Sequence, residues 1–281
     1  RPDVTLRRIA DGQSLALAFA SGELDMAFNL PVETLAMLEA AGKKVTTFPV
    51  AYQYMMWMNT RSPVLSDPKV RRAIDLTVNR QDLVTAAQAG VPASGAFARS
   101  SPFAAEGPLP NDEKRASELL DAAGWLLGDD GIRSRDGARL EVVLYAYPQR
   151  PDLVTFQPVI RAALAKVGIA VTTQVSESPN DVAASGKFDL FLWAQHTAPA
   201  GDPGLFLSLF FETGAARNYS GWSNPEYDEL IALLRAEGNP QARIDLARQA
   251  QEMIAAEAPV SFLVTPEWHV GLSAKLEGYS L

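Results

Sequence analysis

The sequence predicts an α/β protein built on a mixed sheet. Three observations carry that prediction: helices opened by a capping residue and a proline, helices closed by a glycine, and short apolar runs of strand character between them. In the first fifty residues the order is strand 4–9, helix 13–20, strand 25–29, helix 32–40 and strand 45–50. Ser66-Asp67-Pro68 then opens a helix, because a Ser or Asp side chain caps free N–H groups and proline is tolerated at the first helical position. Val70, Ala73, Ile74, Thr77 and Val78 share one face of it. Asn224-Pro225 and Asn239-Pro240 repeat the device ahead of helices over 227–236 and 242–256. A run from Asn111 to Ala123 stops at Gly124, and one from Gln157 to Val167 stops at Gly168. Pro158 belongs in the first turn of the second, or kinks it. Strands fall at 140–147, 169–175, 188–194 and 260–264. The Gly- and Pro-rich stretches 90–96 and 101–111 read as a long surface connection, not a domain linker.

Composition narrows the function. The 281 residues suit one large domain or two ordinary ones. With 47% hydrophobic and 21% charged residues the chain is globular, and a net charge of −8 argues against nucleic acid or an anionic membrane as partner. There is no cysteine, which removes disulfides, Cys metal sites and Cys nucleophiles and suits an oxidising compartment. No apolar run is long enough to span a membrane, and no apolar leader precedes residue 10. Both ends read as cut in mid-course, as expected of a trimmed chain.

No catalytic constellation stands out. His196 and His269 are the whole histidine supply, whereas a catalytic zinc needs about three protein ligands. Gly-x-Ser-x-Gly, Walker and dinucleotide patterns are absent. Asp129-Asp130 sits at a turn, and Glu226, Asp228 and Glu229 fill a first helical turn, where acids complement the dipole. Binding is favoured over catalysis, with an enzyme as the weaker alternative. The aromatics are better placed. Tyr52, Tyr54 and Trp57 share one short run; in a strand the tyrosines face one way and Trp57 the other. Trp193 closes an apolar strand just before the loop from His196 to Pro203, where α/β proteins place ligand contacts.

Several segments together resemble one family, the extracytoplasmic solute-binding proteins of ATP-driven importers, in the peptide/nickel branch (family 5). The strongest runs from Met58 through Asn59-Thr60 to Asp67-Pro68-Lys69-Val70-Arg71-Arg72-Ala73, followed by Asn79-Arg80. Ser21-Gly22-Glu23, the run Lys114 to Trp125, Gly131-Ile132-Arg133, Val167-Gly168-Ile169, Gly186-Lys187-Phe188-Asp189 and Asn218-Tyr219-Ser220-Gly221-Trp222 follow the family's order. The resemblance implies a lobe of the type II periplasmic binding protein kind with part of a second lobe. Residues 1–51 would end the first lobe, 52–266 form the second, and 267–281 begin the return. It implies a periplasmic protein that traps a solute between two lobes and hands it to the membrane permease, with no resident cofactor. One lobe alone would then hold ligand weakly. Family peptide binders carry an Asp where this chain has Pro199, so Asp202 could serve only from a shifted position. Nickel-branch proteins bind metal chelates, and His196 is the candidate metal contact, since Glu212–Ala215 holds no histidine. Two ligand readings stand side by side: a non-standard peptide or opine-like solute, and nickel or another metal as a chelate. A carbohydrate is a third. The expected ligand-binding residues are Tyr52, Tyr54, Trp193, His196, Asp202, Asn218 and Tyr219.

Overall fold

Asp67, Asn224 and Asn239 each accept a hydrogen bond from a first-turn backbone N–H, and a proline follows each of them. The helices therefore start where the punctuation places them. The computed structural model describes residues 4–105, 111–276 and 279. The chain runs α1 (Gly12–Ala20), β1 (Met26–Phe28), α2 (Leu35–Ala40), β2 (Lys44–Pro49), β3 (Tyr52–Met58), α3 (Pro68–Thr77), α4 (Arg80–Ala87) and β4 (Val91–Pro92). It continues through α5 (Glu113–Ala122), β5 (Leu126–Leu127), β6 (Arg133–Arg135), β7 (Ala138–Arg139), β8 (Glu141–Ala146), α6 (Pro151–Lys166), β9 (Ala170–Val175) and α7 (Pro179–Ser185). It closes with β10 (Leu190–His196), α8 (Gly204–Phe211), α9 (Pro225–Ala236), α10 (Pro240–Glu257), β11 (Val260–Thr265) and β12 (Glu267–Leu272). These elements form two compact units, one from the described residues up to Val50 and from Glu267 onward, the other from Ala51 to Pro266.

The smaller unit is an antiparallel sheet in the order β1-β12-β2, with Phe19, Leu30 and Leu38 at its core. Gly271 on the central strand is required by a close approach: a Cβ there would lie 2.4 Å from the Phe19 ring. The strand expected at 4–9 does not form. Val4 and Leu6 alternate as in a strand but are exposed, and this segment pairs with neither β1 nor β2, each of which is bonded only to β12. His269 on β12 lies opposite Thr47 of β2, with Nδ1 2.7 Å from the threonine hydroxyl. Burial lowers its pKa below the ordinary imidazole value. The unfolded chain therefore takes up this proton first as pH falls, and the smaller unit loses stability on acidification through the ordinary imidazole range. Thermal melts at neutral and mildly acidic pH should show this loss, and His269→Gln should flatten it. Equal pH slopes for the two proteins would rule the histidine out.

The larger unit holds a six-stranded sheet in the order β4-β11-β3-β10-β8-β9. β10, β8 and β9 run parallel, whereas β3 is antiparallel to both β10 and β11. This is the mixed sheet the sequence predicts. Both faces are covered. On one, the Tyr54 ring meets Phe156 of α6 edge-on at 5.9 Å; on the other, Trp57 lies parallel to Phe210 of α8 at 5.9 Å. The motif arginines are buried in this unit. Arg71 donates to the carbonyls of Leu65, Ser66 and Glu257 at 2.8–3.0 Å. Arg80 donates to the carbonyls of Asp75, Val78 and Phe262, to Ser261 Oγ and to the Asp75 carboxylate.

Two expectations need correcting. Helix α6 starts at Pro151, ahead of the predicted Gln157, and Pro158 lies in its interior. The Gln157 side chain donates to the carbonyls of Leu144 and Gln174, tying the helix to β8 and β9 at this point. The connection after Gly90 is not at the surface. β4 pairs with β11, and Ala93, Ala96 and Phe97 are buried. Small residues permit this: a Cβ on Gly95 would meet Gln251 Oε1 at 3.0 Å, and the Ala96 N–H donates to that same oxygen. The 106–110 part of the connection and the expectations about the last residues, apart from Tyr279, lie outside the described residues.

Candidate functional site

Parallel strands β8 and β10 end at the same edge of the large sheet, and antiparallel β3 begins there. Carboxyl ends of parallel strands are where open α/β sheets leave room for ligands. Tyr52 at the start of β3 lies directly opposite His196 at the end of β10. The two rings meet edge to face, 4.5 Å between centroids. Arg150, which follows β8, donates from Nη2 to the Tyr52 hydroxyl at 3.0 Å, and its guanidinium lies 5.2 Å from the Tyr52 ring centre. No carboxylate pairs with Arg150 among the described residues. His196 is exposed and Tyr52 half-buried, so the cluster combines an aromatic surface with a cation that has no carboxylate within ion-pair distance among the described residues.

Deeper in the same face, the Tyr54 hydroxyl donates to Asp152 Oδ2 at 2.8 Å. Burial, and then the Asp152 charge, push its pKa well above the ordinary phenol value. It is a fixed donor at neutral pH. The Tyr147 ring instead packs on Phe191 and Trp193; its hydroxyl accepts from the Ala194 N–H at 3.1 Å and is pushed up to about 12 by burial.

Trp193 and Tyr219 belong to the opposite face. Trp193 pairs with Met55, one residue out of phase with Tyr52 and Tyr54. Its ring meets Tyr219 at 5.2 Å and Tyr147 at 5.6 Å. The candidate aromatics are thus two groups divided by the sheet. Asp202 and Asn218 are engaged elsewhere. Asp202 accepts from the Gly204 N–H at 2.7 Å, at the start of α8, and pairs with Arg243. Asn218 donates to the carbonyls of Glu212 and Trp222 at 3.0 and 2.7 Å, tying its own loop together.

Sequence reasoning missed Arg150, Tyr147 and Gln53. Arg150 and Tyr147 follow β8, and the strand-end rule that selected His196 applies equally there. Gln53 is fully buried; its Oε1 accepts from Thr265 Oγ1, while its Nε2 has no partner among the described residues. Its position in an aromatic run gave no such signal. No group of three or more His, Asp or Glu could hold a metal ion among the described residues. No helix among them is long and apolar enough to cross a membrane.

Residues 2–218 match the family described as bacterial extracellular solute-binding proteins, family 5 Middle. The chain belongs to this family. The oligopeptide-binding protein AppA of Bacillus subtilis (strain 168) is 27% identical to this family 5 protein in an alignment 292 positions long that covers 98% of this chain and 53% of AppA. The glutathione-binding protein GsiB of Salmonella typhi is 27% identical in an alignment 290 positions long that covers 98% of this chain and 54% of GsiB. Among solved structures, a nickel ABC transporter from Bacillus halodurans aligns with TM-score 0.85 and 27% identity, covering 94% of this chain and 56% of that one. The chain spans about half the length of the curated relatives it matches.

Proposed function

We propose that this family 5 chain forms part of the solute-binding component of an ATP-driven importer. That component works outside the cytoplasmic membrane, closes two lobes on a small solute and delivers it to the permease subunits. Residues 52–266 supply one whole lobe in this reading, and 1–51 with 267–281 supply parts of the other. The reading assigns no chemical step. Family membership supports the role, and the Arg150–Tyr52–His196 cluster carries the choice of ligand.

An unpaired guanidinium beside two aromatic rings suits a solute that presents a carboxylate. Both a peptide or opine-like solute and a nickel chelate built on a carboxylate ligand meet that requirement. A bare metal cation does not, because the guanidinium repels it, so His196 would touch metal only within a chelate. A neutral carbohydrate leaves the cation without a counter-charge, and the relatives above are named for oligopeptide, glutathione and nickel. In the same reading Tyr54 holds Asp152 in place beneath the cluster. Trp193 and Tyr219 offer a second aromatic wall on the other face of the sheet. Asp202 and Asn218 shape the loops that flank α8.

Native mass spectrometry of the protein purified from its own host should reveal a retained peptide or a metal chelate. With that ligand, Arg150→Gln and Tyr52→Ala should each weaken binding at least about tenfold by calorimetry, roughly the value of one charge-assisted contact. Unchanged affinity in both variants would move the site to the Trp193–Tyr219 face. A retained sugar would overturn the carboxylate reading altogether.

A further inference from the structure

We propose that a second pocket, at the opposite edge of the large sheet, binds a small anion of the carboxylate or phosphate class. The pocket has a volume of about 430 Å³, and Asn59, Arg61, Tyr145, Lys187 and Asp189 are among its lining residues. Strand β3 runs from Tyr52 to Met58 between the two edges, a separation of about 20 Å at the usual rise per residue. The pocket is therefore distinct from the Arg150 cluster, and it stands independently of the transport reading.

Arg61 is exposed yet held in one orientation. Its Nε donates to Asn59 Oδ1 at 3.1 Å and its Nη2 to the Tyr219 carbonyl at 2.9 Å. Gly221 and Gly186 let the side chain lie against the backbone. A Cβ on Gly221 would stand 2.6 Å from Arg61 Nε, and one on Gly186 would stand 3.1 Å from Nη2. Both glycines also have positive φ, at 69° and 61°. Nη1 remains unpartnered among the described residues. Asn59 closes the wall by donating to the Gly186 and Phe188 carbonyls at 2.9 and 2.8 Å.

Lys187 follows Gly186 directly and is exposed. Neither Arg61 nor Lys187 has an acidic partner among the described residues. Asp189 is the acid in the lining; its Oδ1 accepts from Ser62 Oγ at 2.6 Å and its Oδ2 from the Val143 N–H at 2.9 Å, so both oxygens are engaged within the fold and the two cations outnumber its single charge. The Tyr145 hydroxyl makes no hydrogen bond among the described residues. A guanidinium fixed in advance, an exposed ammonium and a free phenol donor together match the oxygens of one anion. Fixing the arginine beforehand removes most of the ordering cost of capture.

Inorganic phosphate and benzoate, titrated separately into the 281-residue chain by calorimetry, distinguish the two sources of this chemistry. Saturable binding of at least one, weakened by added sodium chloride, is expected. The tighter arm identifies a phosphate or a carboxylate site. Lys187→Gln should melt like the parent chain and weaken binding about fivefold, and Arg61→Gln should weaken it at least about tenfold. Because Arg61 also braces two loops, Lys187→Gln is the deciding variant. Absence of saturable binding by both probes, or full binding in Lys187→Gln, overturns the proposal.

Discussion

Replacing Arg80 with methionine should destabilise the larger unit by about 3–5 kcal/mol, the usual loss when one partner of a buried ion pair is removed. Arg80 and Asp75 are both buried, and the arginine reaches three backbone carbonyls besides the carboxylate. Methionine fills part of the space but returns none of the hydrogen bonds. Asp75 is then left with Ser261 Oγ at 2.6 Å and the partly exposed Arg72 at 3.3 Å. Denaturant unfolding, followed by a probe in the larger unit, should show a lower midpoint with an unchanged slope. Adding Asp75→Leu should recover part of the loss, since the stranded charge goes with it. A loss under about 1 kcal/mol would mean that Arg72 and Ser261 neutralise Asp75 on their own.

Arg80 also shows what the sequence could and could not reveal. Its motif marks the family, yet nothing local says that the arginine ties α4 to β11 through the Phe262 carbonyl and Ser261. Short-range physics was legible. Asp67, Asn224 and Asn239 cap helices because capping needs only three neighbouring residues. Gly124 and Gly168 adopt positive φ for the same local reason. Errors arose where a distant partner decides. The alternation of Val4 and Leu6 imitates a strand, yet the segment joins neither edge strand of the small sheet. The small residues at 93–96 look like a loop until α10 covers them through Gln251.

The candidate site divides in the same way. The period of two set Tyr52 and Tyr54 on one face of a strand, and the strand-end rule pointed to the loop that His196 opens, because both signals are visible in sequence. The strand-end rule would have found Arg150 had it been applied to β8. The engagement of Asp202 with Arg243 was not legible, because the partner lies 41 residues away on another helix. The division of the aromatics between two faces followed from parity within β3. Relating Trp193 to Tyr52 also required the β3–β10 register, which only the structure supplies.

Trp57→Ala should be comparably severe, at about 3–5 kcal/mol, the range for emptying a buried aromatic site. Trp57 lies on β3 within the sheet, fully buried, with Phe211 at 5.4 Å and Tyr219 at 6.0 Å as well as the parallel Phe210. Its indole Nε1 has no hydrogen-bond partner among the described residues. Trp57→Phe removes that unmet donor, whose burial costs about 1–3 kcal/mol, and so offsets part of the smaller cavity it creates. The phenylalanine variant should therefore retain well over half of what alanine loses. The same pair separates the two faces functionally. Tyr219 packs on both Trp57 and Trp193, so emptying position 57 loosens the Trp193 wall while leaving Arg150, Tyr52 and His196 in contact with one another. Calorimetry on Trp57→Ala, at a temperature where it is fully folded, should give parental ligand affinity if the Arg150 cluster is the binding surface. A fall in affinity matching that of Trp193→Ala would place the solute on the opposite face of the sheet.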